Sequence, residues 1–297
     1  LPHWLRLRRP ESDTVLYPAL AYPTYAMGAE LAGCRAVAVP LAPDGSGRLD
    51  LGAVSVADAE RALALWVNSP ANPTGCLDDL GAAAAWGRDR GVPVLSDECY
   101  VAFTWHGRGR SILEHGLEGV LAVHSLSKRS NLAGARAGFY AGDPDLVHYL
   151  SEVRRHAGLM VPGPVQAAAA VALEDEEHVE AQRARYRERL GLFAPVLRGL
   201  GLDAPLPAGA FYLWAGVPDG RAGGAAGPGP ASGPGPAWEG HEPQSPAWAW
   251  TEHLARVGGV VVSPGDLYGP GGDRHLRVAL VAPLGRLELV ARRLGAG

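Results

Sequence analysis

The chain has 297 residues, 47% of them hydrophobic and 20% charged, with a formal net charge of −4. This is the composition of a globular protein long enough for two domains, and its charge balance excludes a general electrostatic attraction to nucleic acid or to an anionic membrane. No apolar run is long enough to span a bilayer. The three cysteines, Cys34, Cys76 and Cys99, lack metal-ligand spacing and read as reduced thiols of a cytoplasmic protein without a metal site.

Up to about residue 142, short apolar runs alternate with helix-like stretches, as in βα repeats. Strands are expected at 14–17, 35–39, 63–68, 92–96, 120–125 and 136–140. Their near-continuous apolar character suits strands buried on both faces of a mostly parallel sheet. The Ala-rich segment 80–90, with charges near its end, reads as a crossover helix. From 165 to 200, Ala-rich sequence runs into alternating acidic and basic residues, which predicts long helices with a solvated face. The remainder, from about 202, reads as a smaller α+β unit with strands at 211–214, 260–262 and 276–279 and a helix around 248–257. The expected class is α/β, with a large domain over 1–175 and a smaller one over 176–297. Residues 218–246 are dominated by Gly, Pro, Ala and Ser. Such a stretch buries too little apolar surface to offset its ordering entropy, so a flexible surface loop is expected there.

Lys128 is the only lysine among the 27 basic residues; all the others are Arg. A lysine that persists where arginine has replaced every other one marks a place where arginine fails. A lysine amine can lose its proton and attack an aldehyde, whereas a guanidinium cannot. A chance survivor on a solvated surface is the plainer alternative. Four motifs fall at or near the ends of expected strands, where open α/β sheets place ligands. They are Asn68-Ser69-Pro70-Ala71-Asn72-Pro73-Thr74-Gly75, Ser96-Asp97-Glu98-Cys99-Tyr100, Ser125-Leu126-Ser127-Lys128 and Gly134-Ala135-Arg136-Ala137-Gly138. Alone, the first is a good turn and Asp97 in the second could be a helix cap.

In this order and spacing the motifs resemble the class I/II aminotransferases, fold-type I enzymes dependent on pyridoxal 5′-phosphate. The resemblance covers nearly the whole chain except 218–246. It implies that Lys128 is the Schiff-base lysine and later the proton-moving base, and that Asp97 partners the pyridinium nitrogen. Asn72 and Tyr100 are similar to the residues that bond the cofactor's phenolic oxygen. Tyr22, in Ala21-Tyr22-Pro23-Thr24-Tyr25, stands like the aromatic that stacks on the ring, or is simply a core aromatic. Ser125, Ser127 and Arg136 match phosphate-binding positions. Arg277, in Arg274-His275-Leu276-Arg277-Val278-Ala279, resembles the arginine that grips a substrate carboxylate, with a surface ion pair as the alternative.

Within the family the chain resembles the actinobacterial-type N-succinyldiaminopimelate aminotransferases, on residues 21–26, 66–75, 96–100, 124–139, 156–168 and 263–270. The resemblance implies amino-group exchange between glutamate/2-oxoglutarate and the succinylated six-carbon keto acid of lysine biosynthesis, whose amino form is N-succinyl-LL-2,6-diaminopimelate, in a homodimer. Another fold-type I aminotransferase, a carbon–sulfur lyase, or a non-catalytic remnant are the competing expectations. Family members also carry sequence ahead of the point matching Leu1, including a first strand and a small-residue turn that donates to the phosphate. The chain therefore reads as truncated, with the strand at 136–140 left at a sheet edge.

Overall fold

A computed structural model describes residues 1–218 and 245–295. Most of the loop expected over 218–246 thus lies outside the described residues. The chain divides into two compact units. The first comprises Leu1–Arg183 with Ala208–Ala210, and the second Ala184–Pro207 with Phe211–Gly297.

In chain order the first unit runs α1 (Pro2–Arg8), β1 (Thr14–Pro18), α2 (Thr24–Leu31), β2 (Arg35–Val39), α3 (Val56–Glu60), β3 (Ala62–Asn68), α4 (Leu80–Arg90) and β4 (Val94–Asp97). It continues with β5 (Val120–Ser125), α5 (Leu126–Arg129), β6 (Gly138–Gly142), α6 (Pro144–His156) and α7 (Gly163–Glu174). Helix α8 (Glu177–Gly199) carries the chain from the first unit into the second. The six strands form one sheet in the order β2-β1-β3-β4-β5-β6, parallel except for β6, which runs antiparallel to β5 and forms the edge.

Period-two alternation explains how the sheet is covered on both faces. Val94, Val120 and Ala122 join Leu80, Ala83 and Trp86 of α4 in one core layer. Leu95 and Leu121 point the other way, into a layer with Leu5 of α1, Tyr25 of α2 and Leu146 and Leu150 of α6. β3 is buried at every position. Each large aliphatic side chain removed from water contributes about 1.5–3 kcal/mol, so the doubly covered central strands hold most of this unit's stability. Asp79 caps α4 by accepting from the Ala82 N–H, and Gly91 closes it in the left-handed conformation.

Three strands start two or more residues later than expected. β4 starts at Val94 rather than 92, after Pro93, which has no N–H to donate. β6 starts at Gly138 rather than 136, because Arg136 sits at φ 52° and turns the chain before pairing begins. In the second unit no strand forms over 260–262, although Val260, Val261 and Val262 favour one. Gly259 ends the preceding helix α9 (Pro246–Gly258) in the left-handed region, Val261 is 84% exposed, and pairing starts only at Ser263. That unit's sheet, β7 (Tyr212–Gly216), β8 (Ser263–Pro264) and β9 (His275–Ala279), has the antiparallel order β7-β9-β8 and is followed by α10 (Leu284–Arg293).

Gly87 lies inside α4, where alanine normally helps a helix by up to about 1 kcal/mol. Here a Cβ would stand 2.5 Å from Val94 Cγ2 and 2.6 Å from the Val92 carbonyl oxygen. Gly87→Ala is expected to destabilise the protein by about 1–3 kcal/mol through overpacking. A lowered urea-unfolding midpoint at unchanged slope is the readout.

Candidate active site

The parallel strands β3, β4 and β5 end side by side, with Asn68 opposite Asp97 and Asp97 opposite Val123. Asn68 is 3% exposed and bonds in two directions. Its Nδ2 donates to the Asp97 carbonyl at 2.8 Å, and its Oδ1 accepts the Asn72 N–H at 2.7 Å. The Ser69 N–H also donates to the Asp97 carbonyl, at 3.2 Å, and the Gly75 N–H returns to Ala71 at 2.7 Å. The turn after β3 is thereby folded against the end of β4, with Asn72 buried in it.

Asp97 closes β4 with a carboxylate held at both oxygens. Oδ1 accepts the Cys99 N–H at 3.1 Å, and Oδ2 accepts the Tyr25 hydroxyl at 2.6 Å. Tyr25 comes from α2, is 4% exposed, and stacks on Trp66 with centroids 4.9 Å apart. Burial, and then the Asp97 charge, push the Tyr25 phenol well above its ordinary pKa. The same two causes raise the Cys99 thiol, opposed by the Lys128 charge. Tyr100 follows, buried, at the start of a short 3-10 turn, Val101–Phe103.

The next residue, Glu98, is only 1% exposed and turns inward. Its Oε1 accepts from the Ser96 hydroxyl at 2.9 Å and the Ile112 N–H at 2.8 Å. Its Oε2 lies 3.4 Å from His124 Nε2. Burial lowers the His124 pKa, and the Glu98 and Asp97 charges oppose that shift. The imidazole stacks on Phe139 of β6 at 4.9 Å.

Lys128 sits on α5, three residues beyond β5, and is half-buried. Ser125 caps that helix, its Oγ accepting the Ser127 N–H at 3.1 Å. An acceptor bond of this kind leaves the hydroxyl proton available for another partner. Arg129 anchors the turn by donating to the Ala172 and Leu173 carbonyls at 2.6 and 3.2 Å. Arg136 lies just before β6, whose first residue, Gly138, pairs with Ser125, so it belongs to the same end of the sheet. It is exposed, and donates to the Ala133 carbonyl at 2.9 Å. Tyr22, shortly after β1, is 47% exposed and meets Tyr25 edge-on at 6.2 Å.

Sheet topology thus brings Tyr22, Asn72, Asp97, Tyr100, Ser125, Ser127, Lys128 and Arg136 to one end of the first unit's sheet. Arg277 belongs to the second unit, in the middle of β9. Its guanidinium lies over Tyr268 at 4.8 Å and Tyr212 at 5.3 Å, and its neighbours across the sheet are Trp214 and Ser263. Two residues without an expected role, Tyr25 and Asn68, hold Asp97 in place. Each stands inside a quoted motif, and a polar Asn closing an apolar strand was the available signal.

With its thiol pKa raised, Cys99 carries little thiolate near neutrality, so alkylation is expected to be slow from pH 7 to 8. Asp97→Asn removes one of the raising causes, lowers the pKa and increases the thiolate fraction at a given pH. Iodoacetamide labelling of the Cys99 peptide, followed by mass spectrometry, should therefore be faster in the variant. An unchanged rate would place the thiol beyond the influence of Asp97.

The sequence model described as aminotransferase class I and II matches residues 5–294. The chain is 39% identical over 290 residues to the 4-dedimethylamino-4-oxo-anhydrotetracycline transaminase OxyQ of Streptomyces rimosus, covering 95% of this chain and 70% of that protein. It is 40% identical over 291 residues to a probable aminotransferase of Mycobacterium tuberculosis, covering 95% of this chain and 60% of that protein. A solved structure of a probable N-succinyldiaminopimelate aminotransferase from Thermus thermophilus superposes with a TM-score of 0.78 at 31% identity, over 99% of this chain and 74% of that one. The polar cluster at the ends of the parallel strands and these matches agree: the chain belongs to the class I and II aminotransferases, whose cofactor is pyridoxal 5′-phosphate.

Proposed function

We propose that the chain performs pyridoxal-phosphate-dependent transamination between glutamate/2-oxoglutarate and a second amino or keto acid, with N-succinyl-LL-2,6-diaminopimelate as the favoured substrate. One observation carries the reading. The only lysine stands half-buried at the same strand ends as a carboxylate fixed at both its oxygens. The donor set fits the cofactor's chemistry: a carboxylate with acceptor positions to spare for a ring N–H, an amine, hydroxyls and a guanidinium.

When bound, the cofactor supplies an aldehyde and an electron-withdrawing ring that takes up the electron pair left by a departing substrate proton. Lys128 Nζ would hold the cofactor through its aldehyde carbon, with loss of water, and would carry a proton to and from the substrate α-carbon. Asp97 holds a proton on the ring nitrogen. Asn72 and Tyr100 donate to the phenolic oxygen, and Tyr22 offers its exposed ring to the cofactor plane. Ser125, Ser127 and Arg136 bind the phosphate, for which charge-assisted bonds are the strong ones. Arg277 pairs in two-point fashion with a substrate carboxylate.

The Thermus relative's name supports the succinylated substrate. The identity to OxyQ favours a second reading, in which the same exchange acts on a larger, cyclic keto substrate. The three free cysteines support a reducing, cytoplasmic setting. Helix α7 buries none of its residues, and Val171 is 68% exposed. Such an apolar face supports a homodimer. No helix among the described residues is long and apolar enough to cross a membrane.

Borohydride reduction of the cofactor-loaded protein should fix the cofactor's mass on the Lys128 peptide; label confined to the terminal amine would end the assignment. Asp97→Asn should lower transamination by about a hundredfold to a thousandfold, the scale of losing a catalytic electrostatic partner. Near-normal turnover in that variant would mean that the ring nitrogen lies elsewhere. Product analysis with glutamate and a panel of keto acids separates the substrates. Release of pyruvate and ammonia without a keto-acid acceptor would indicate a lyase.

A further inference from the structure

We propose that Tyr25 is a positioning residue for Asp97: its buried hydroxyl fixes the plane of the carboxylate and draws on the negative charge that the carboxylate offers to the cofactor. The proposal rests on the reading that Asp97 faces the cofactor's ring nitrogen.

The geometry allows little freedom. At 2.6 Å, the Tyr25–Asp97 contact has the length of a charge-assisted bond from a hydroxyl to a carboxylate. The tyrosine ring cannot swing away, because it is 4% exposed and stacked on Trp66 at an interplanar angle of 21°. The opposite carboxylate oxygen is held by the Cys99 N–H, and the Asp97 carbonyl is held by Asn68 and Ser69. Rotating the Asp97 side chain would break bonds at both oxygens. The phenol stays protonated across the working pH range, since burial and the Asp97 charge both oppose its ionisation, so it acts as a donor throughout.

A hydrogen bond to the charged form of an acid favours that form. The Tyr25 hydroxyl, bonded at Oδ2, thus favours the arrangement in which a ring N–H beside Asp97 keeps its proton. The proton stays on the nitrogen, and the ring keeps the positive charge that draws electrons from the substrate. Removing the hydroxyl shifts that proton toward Asp97 and weakens the ring's electron demand. With less positive charge on the ring, a proton elsewhere on the bound cofactor is held more tightly.

Tyr25→Phe keeps the stack on Trp66 and removes only the donor. In the cofactor-loaded protein, kcat is expected to fall about tenfold to a hundredfold, the range of one charge-assisted bond, with KM changing less. The pH midpoint of the bound cofactor's visible absorbance should move upward by about one pH unit. Site-specific replacement of Tyr25 by 3-fluorotyrosine, a stronger donor of the same shape, should move the midpoint downward. These opposite shifts are a signature that a purely structural tyrosine would not give, and the second arm stands even if Tyr25→Phe folds poorly. In an Asp97→Asn background both replacements should leave the midpoint unmoved. Unchanged midpoints in both single replacements, with Asp97→Asn still crippling, would overturn the role of Tyr25 and leave the placement of Asp97 intact. An innocuous Asp97→Asn would overturn the placement itself.

Discussion

Much of the site depends on one amide side chain. Asn68 spans the last rung between two parallel strands, donating a hydrogen bond to the Asp97 carbonyl and accepting one from the Asn72 N–H. Parallel strands simply stop at the carboxyl end of a sheet, leaving backbone groups that helices and turns must satisfy. Here a 3%-exposed asparagine satisfies groups on both sides. Leaving such a buried group unpaired costs about 1–3 kcal/mol, so the turn carrying Asn72 and the strand end carrying Asp97 hold their places together. The polar chemistry of the site is thus an extension of the sheet's own hydrogen-bond accounting.

Strand alternation then separates the two adjacent acids. Asp97 and Glu98 are neighbours in sequence yet occupy different environments. Glu98 is buried against Ser96, Ile112 and His124, where its contacts join β4 to β5 and to the short turn Ile112–His115. Asp97 faces the α2 side, where Tyr25 and Cys99 meet it. One carboxylate serves the internal architecture and the other is presented to the strand ends. Both follow from a one-residue step at the end of one pleated strand.

The βα pattern was largely legible in the sequence, because continuous apolar runs such as 63–68 and 120–125 have few other uses, and the placement of the four motifs at strand ends follows from it. Departures came from backbone conformations that side-chain type does not announce. Arg136 adopts φ 52° and delays β6, and the left-handed Gly259 diverts three valines from a strand. Sequence assigns Tyr25 no role, since its partner lies 72 residues further along the chain. Periodicity reports which face a residue occupies, and it is silent about which distant group that face will meet.

The raised pKa of Cys99 has a chemical consequence of its own. An aldehyde cofactor delivered to this end of the sheet meets two nucleophilic side chains, an amine and a sulfur. A thiolate is the stronger nucleophile of the two classes and would compete for the same carbonyl carbon. Burial, and then the Asp97 charge that disfavours a second negative charge beside it, keep Cys99 in its less reactive thiol form. The neutral thiol beside the lysine is thus favoured by burial first and by the Asp97 charge second.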